Sequence, residues 1–136
     1  MEEKKMKKEE INEMQIVTGV RKFLDAVFVL TDEKNGFNSN VLRLELRKNA
    51  VDMFKSILDG FESVDIAYKL QQAVKVRGLL IKAQFKLCES LEEGAVNREN
   101  FYTMLSMTKM LKNKLEFFRD NLEERNIFRG SRQFIL

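Results

Sequence analysis

Not one proline interrupts the 136 residues of this chain, and it has only six glycines. Proline and glycine are the strongest local breakers of regular structure, so their scarcity removes the usual punctuation of sheets and hairpins. What remains are long segments rich in Leu, Lys, Glu, Met and Ala, residues that lose little side-chain freedom in a helix. A chain of this length buries a hydrophobic core as one domain without disulfides or metal staples. The expectation is an all-α fold.

Four segments carry apolar residues at three- and four-residue spacing. The first spans about Lys8 to Leu30, with Ile11, Met14, Val17, Val20, Leu24, Val27 and Phe28. It stops at DEKNGFNSN, Asp32 to Asn40, where Asn, Asp, Ser and Gly favour turns. The second spans about Val41 to Phe61, with Leu42, Leu46, Ala50, Met53, Phe54, Ile57 and Phe61 on one face. The third starts near Ser63, a cap for the amide of Asp65 or Ile66. It carries Leu70, Val74, Ile81 and Leu87 as its core stripe to Leu91, before Gly94. Asn97 caps the fourth, which carries Phe101, Met104, Leu105, Met107, Leu111, Leu115, Phe118 and Leu122. Short links make neighbours antiparallel, which predicts an up-down four-helix bundle over residues 11–125. Residues 1–10 form a polar N-terminal extension and residues 126–136 a basic and apolar tail.

The apolar residues of the third segment, Val74, Val76, Leu79, Leu80, Ile81, Ala83, Phe85 and Leu87, fill more than the ~100° arc that one core stripe needs. A second buried face, hence assembly, is expected, with a thick core in a compact bundle as the alternative; Met107, Met110 and Phe117 widen the fourth helix in the same way, and methionines suit either a core or an interface. The single cysteine, Cys88, sits among apolar neighbours and reads as a buried, inert thiol in a reducing compartment. Residues Met1 to Glu10 mix Lys and Glu, and no stretch approaches ~18 apolar residues, so neither a signal peptide nor a membrane span is read. A cytoplasmic protein is expected.

The chain has no histidine, which removes a His general base, Ser-His and Cys-His pairs, and His-containing metal sites. The carboxylates Glu9, Glu10, Glu13, Glu92 and Glu93 lie in hydrophilic surroundings where nothing lifts their pKa values. No phosphate-binding glycine loop or dinucleotide fingerprint is present. The reading is therefore not an enzyme, with no cofactor and no metal.

Net charge is only +3, but the bases are unevenly spread. From Lys69 to Cys88 there are five basic residues and no acid, and from Thr103 to Leu115 three lysines and no acid. Lys75, Lys82 and Lys86 share one side of the third helix, a stripe suited to phosphates or to plain solvation. Arg77 and Gln84 fall near the apolar centre of that helix, so Arg77 must reach a carboxylate, for which Glu45 or Asp52 could serve, a helix end or a subunit boundary.

The segment LRLELRKNAVDMFKSILDG, Leu42 to Gly60, resembles a pattern, L-x-x-Q-I-R-R-A-A-V-S-I-P-x-N-I-A-E-G, of a four-helix-bundle family. That family includes the proteins encoded in 23S rRNA intervening sequences and the accessory variability determinant of diversity-generating retroelements. Leu42, Leu46, Arg47, Lys48, Ala50, Val51, Met53, Ile57, Asp59 and Gly60 match in kind, while Glu45, Asp52, Phe54 and Ser56 depart. A phenylalanine where the intervening-sequence branch has proline favours the retroelement branch. KVRGLLIKAQFKL, Lys75 to Leu87, is similar to that branch's K-L-R-x-L-L-R-L-A-K-x-L, and NRENFYTMLSMTKMLKNKL resembles its last helix. The resemblance implies a homopentamer with a basic surface that associates with a reverse transcriptase and its template RNA, or an RNA/DNA hybrid. It implies no catalytic residue. The binding residues it implies here are Lys75, Arg77, Lys82 and Lys86, then Arg43, Arg47 and Lys48. The alternative is a structural or regulatory oligomer of the intervening-sequence type without nucleic-acid affinity. An amphipathic membrane-surface binder is weaker, because the apolar faces serve a bundle better.

Overall fold

The computed structural model describes the backbone from Glu2 to Ile135 and the side chains from Glu13 to Glu124. Its elements are α1 (Glu2–Leu30), a 3₁₀ turn (Glu33–Asn35), α2 (Asn40–Glu62), α3 (Ile66–Glu92) and α4 (Arg98–Ile135), with no strand among the described residues. Each helix packs chiefly on its neighbours in the chain, and α4 closes on α1, giving the up-down four-helix bundle. The polar extension continues α1 and the C-terminal tail continues α4 as helix, so both outer helices are longer than the periodicity defines.

Helix ends follow side-chain chemistry. Ser39 accepts from the Leu42 amide at the start of α2, and Asn97 accepts from the Asn100 amide at 2.8 Å at the start of α4. The cap of α3 is Asp65, which accepts from the Ala67 amide at 3.0 Å; Ser63 sits two residues upstream and its hydroxyl accepts from the Asp65 amide. After α3 the chain turns through Gly94 at φ 75°, with the Ala95 amide donating to Ser90 O and the Gly94 amide to Leu91 O. This is the two-bond closure that a left-handed residue at the helix end allows.

The core holds Ile16, Val20, Phe23 and Val27 of α1, Leu42, Leu46, Ala50, Met53 and Ile57 of α2, and Leu111, Leu115, Phe118 and Leu122 of α4. On α3 the core stripe is Ala73, Val76, Leu80, Ala83 and Leu87. The expected stripe is corrected here: Val74 is 50% exposed, while Leu70 and Ile81 are only half-buried. Both arcs of α3 are apolar, so periodicity alone cannot decide which faces inward. Small Ala73 and Ala83 let α3 approach its neighbours closely, and that arc wins. Cys88 lies off this stripe and is exposed, contrary to the buried thiol expected. On α1 the same shift leaves Met14 69% exposed and brings Ile16 and Phe23 inside; the side chain of Ile11 lies outside the described residues. Gly60 permits the α2–α3 approach, since a Cβ there would stand 2.8 Å from Gln72 Cβ.

Arginines close the bundle end where α1 passes into α2. Arg43 Nε donates to Thr31 O at 2.6 Å, its Nη2 to Phe37 O at 2.7 Å, and its Nη1 to Asn40 Oδ1. Arg47 Nε donates to Thr31 Oγ1 at 2.8 Å, and its guanidinium lies 4.6 Å from the Phe28 ring centroid. Both bind the carbonyl end of α1, where cations are favoured. An Arg43→Lys variant, which cannot reproduce the fork, is expected to lose about 2 kcal/mol of stability in urea unfolding.

Candidate nucleic-acid interface

The α2–α3 seam collects the lysines. Its register is fixed by Lys86 Nζ to Glu45 Oε2 at 2.7 Å, Asn49 Nδ2 to Leu79 O at 2.8 Å, and Gly60 against Gln72. In that antiparallel register Lys48 of α2 lies level with Lys82 of α3, and Lys55 lies level with Lys75. All four are exposed. Along each helix the two levels are about 10 Å apart, seven residues at 1.5 Å each. Seven-residue spacing on each helix and this register set the four exposed lysines along one side of the seam, as a ladder. Among the described residues none of the four is within 4.0 Å of a carboxylate.

A cleft of about 310 Å³ opens between Lys48 and Lys82, lined also by Glu45, Asn49, Asp52, Leu79 and Lys86. Glu45 and Asp52 bring negative charge to it. Lys86 is held between Glu45 and Glu89, and the hydrogen bond to Glu45 raises its pKa above the ordinary lysine value despite some desolvation.

The stretch without acids is therefore not free of acids in space. Lys69 pairs with Glu13 of α1 at 3.0 Å, Arg77 with Glu116 of α4 at 3.2 Å, and Lys86 with Glu45. Arg77 thus finds its carboxylate on α4, not at Glu45 or Asp52, and beside it Gln84 donates to Thr108 of α4 at 3.0 Å. Of the seven residues read as binding candidates, Lys48, Lys75 and Lys82 stand together and available. Lys86 adjoins them in an ion pair, Arg77 faces the opposite seam, and Arg43 and Arg47 serve the α1 terminus. Lys55 escaped the sequence reading, although its seven-residue spacing from Lys48 sets both on one side of α2. Asn49 escaped it too, and no sequence signal marks it as a cleft residue.

No protein-family model matches this chain, and neither do the curated proteins or the solved structures. The site must be read from its own chemistry. Among the described residues no helix is long and apolar enough to cross a membrane, and no three acidic or thiol side chains gather as a metal would require.

Outside this face, apolar side chains remain uncovered. On the outer arc of α3, Val74 and Phe85 are 50% and 66% exposed, and a Cβ at Gly78 between them would meet nothing within 4 Å. On α2 the exposed Leu44 and Leu58 lie seven residues to either side of half-buried Val51. Between α1 and α4 a cleft of about 520 Å³ is lined by Met14, Met107, Met110 and Leu111, with Lys22 and Lys114 on its edges.

Proposed function

We propose that this protein is a non-catalytic accessory subunit of a diversity-generating-retroelement type of system. It self-assembles, as a pentamer, and holds a cytoplasmic reverse transcriptase and its template RNA through basic faces. The observation that carries the reading is the ladder of Lys48, Lys82, Lys55 and Lys75, exposed and unpaired among the described residues. Such a face neutralises phosphates and is indifferent to base identity. Repeated around a ring, it gains strength by multivalency. The resemblance of the second and third helices to the retroelement accessory family supports the choice of partner.

Assembly rests on the outer arc of α3. Single exposed apolar residues are ordinary, but exposed Val74 and Phe85, with half-buried Ile81, flank the open space at Gly78 on one arc. Light scattering of the full chain is expected to give a multiple of 16.0 kDa, with five copies the expected number. Phe85→Asp should give a monomer of unchanged helicity. A parent chain that is monomeric at micromolar concentration would remove the ring.

A second reading is a structural or regulatory oligomer with no nucleic-acid affinity. It is favoured by the ion pairs that already occupy Lys86, Arg77 and Lys69. Titration of the chain with a labelled structured RNA at low and moderate salt separates the two readings. Tight binding that weakens steeply with salt supports the accessory subunit, and absence of binding at low salt supports the alternative.

A further inference from the structure

The floor of the α2–α3 cleft carries an acceptor with nothing to accept from. Asn49 is 7% exposed, its Nδ2 donates to the Leu79 carbonyl at 2.8 Å, and its Oδ1 has no hydrogen-bond partner. Turning the amide over would set Oδ1 against the Leu79 carbonyl and abolish the one bond it makes, so the orientation is fixed. A buried acceptor without a donor destabilises a fold, and such groups are rare enough to need a reason.

The reason lies in what stands above it. Lys48 on α2 and Lys82 on α3 form opposite rims of the cleft that Asn49 lines. A strand whose phosphates rest on these two ammonium groups presents its sugar edge, not its bases, to the floor. That edge of DNA offers no hydrogen-bond donor; that edge of RNA offers one, the ribose 2′-hydroxyl. Asp52, in the same cleft, repels a phosphate placed deep in it and so leaves the depth to the sugar. We infer that Asn49 Oδ1 accepts from a ribose 2′-hydroxyl, so that the cleft selects RNA over DNA of the same sequence. The inference rests on the nucleic-acid reading of the lysine ladder. Lys82, Lys86 and Glu45 line the same cleft as Asn49, and access of a hydroxyl to the buried Oδ1 requires the lysine side chains to turn outward to phosphates, Lys86 leaving Glu45 as it does so.

The test uses the full chain and one short single-stranded sequence made as RNA, as DNA and as 2′-fluoro RNA, which keeps the A-form sugar pucker without a donor. Fluorescence anisotropy at moderate salt should show RNA bound roughly tenfold tighter than the other two. Asn49→Leu should bind all three alike, at the DNA level, with a Tm equal to or above that of the parent, because it removes an unsatisfied buried oxygen. Should Asn49→Leu fail to fold, the three oligonucleotides on the parent chain still decide. Equal affinity for all three means that solvent serves Oδ1, which overturns the inference and leaves the ladder reading intact. Binding of none of them overturns both.

Discussion

Replacing Lys48, Lys55, Lys75 and Lys82 together by Gln is expected to weaken binding to single-stranded RNA by roughly 100-fold or more at moderate salt. Each phosphate neutralised on a single strand contributes about −0.7 to the slope of log K against log salt, so removing four contacts should flatten that slope by about 3. All four side chains are exposed and none is within ion-pair distance of a carboxylate among the described residues. Helicity and unfolding midpoint should therefore stay near those of the parent, since surface substitutions of this kind fall within about 0.5 kcal/mol. A parallel variant, Arg77→Gln, should behave in the opposite way. It loses the bond to Glu116 and so loses stability, while RNA affinity is preserved because Arg77 faces the α3–α4 seam. If the fourfold variant keeps the parent's salt slope, the ladder is only a solvated face.

The second large effect concerns which arc of α3 is the core. Leu80→Ala is expected to cost about 3 kcal/mol, because a fully buried leucine leaves a cavity that neighbouring helices fill only in part. Val74→Ala, on the arc that the spacing of Leu70, Val74 and Ile81 marks as the core, should cost less than about 0.5 kcal/mol. The pair is to be compared in the Phe85→Asp background, where assembly contributes nothing to the measured stability. Urea unfolding followed by circular dichroism reads both. Equal costs would place the two arcs on the same footing and contradict the packing described for α3.

The contrast between those two residues marks the limit of what the sequence makes legible. Helix number, order and the ends at the α3–α4 turn are legible because they depend on local chemistry: Asn97 caps α4 and Gly94 turns left-handed after α3. The core of α4 is legible too, since Phe101, Met104, Leu111, Leu115 and Phe118 form the wider of its apolar arcs. The rotation of α3 is not, and that of α1 only in part: Val20 and Val27 are buried as their spacing predicts, but Met14 and Phe28 are not, because each helix has two arcs that are apolar enough to face inward. Only packing against three other helices chooses between Ile16 and Met14, or between Leu80 and Ile81.

The candidate site divides in the same way. Lys75, Lys82 and Lys48 are visible as bases on the outward sides of two helices. Their mutual level, and the joining of Lys55 to them, depend on the α2–α3 register, which no single helix encodes. The carboxylates that capture Lys69, Arg77 and Lys86 come from α1, α4 and α2, respectively. An absence of acids along the chain therefore says little about charge in space. Asn49 is the extreme case, because its meaning lies in what it fails to bond.

The four seams of the bundle are not equally fastened. Arg43 and Arg47 tie α2 to the end of α1, Lys86 and Asn49 tie α2 to α3, and Arg77 and Gln84 tie α3 to α4. Between α1 and α4 no hydrogen bond or ion pair exists among the described side chains, and the methionine-lined cleft lies along the join. The bundle thus resembles a book whose spine is α2–α3 and whose covers meet at α1–α4. Local opening is cheapest along that join, where parting of the covers would expose buried Leu111 and half-buried Met107 beside the already exposed Met110 and would strain the Lys69–Glu13 pair, while the lysine-bearing spine keeps its shape.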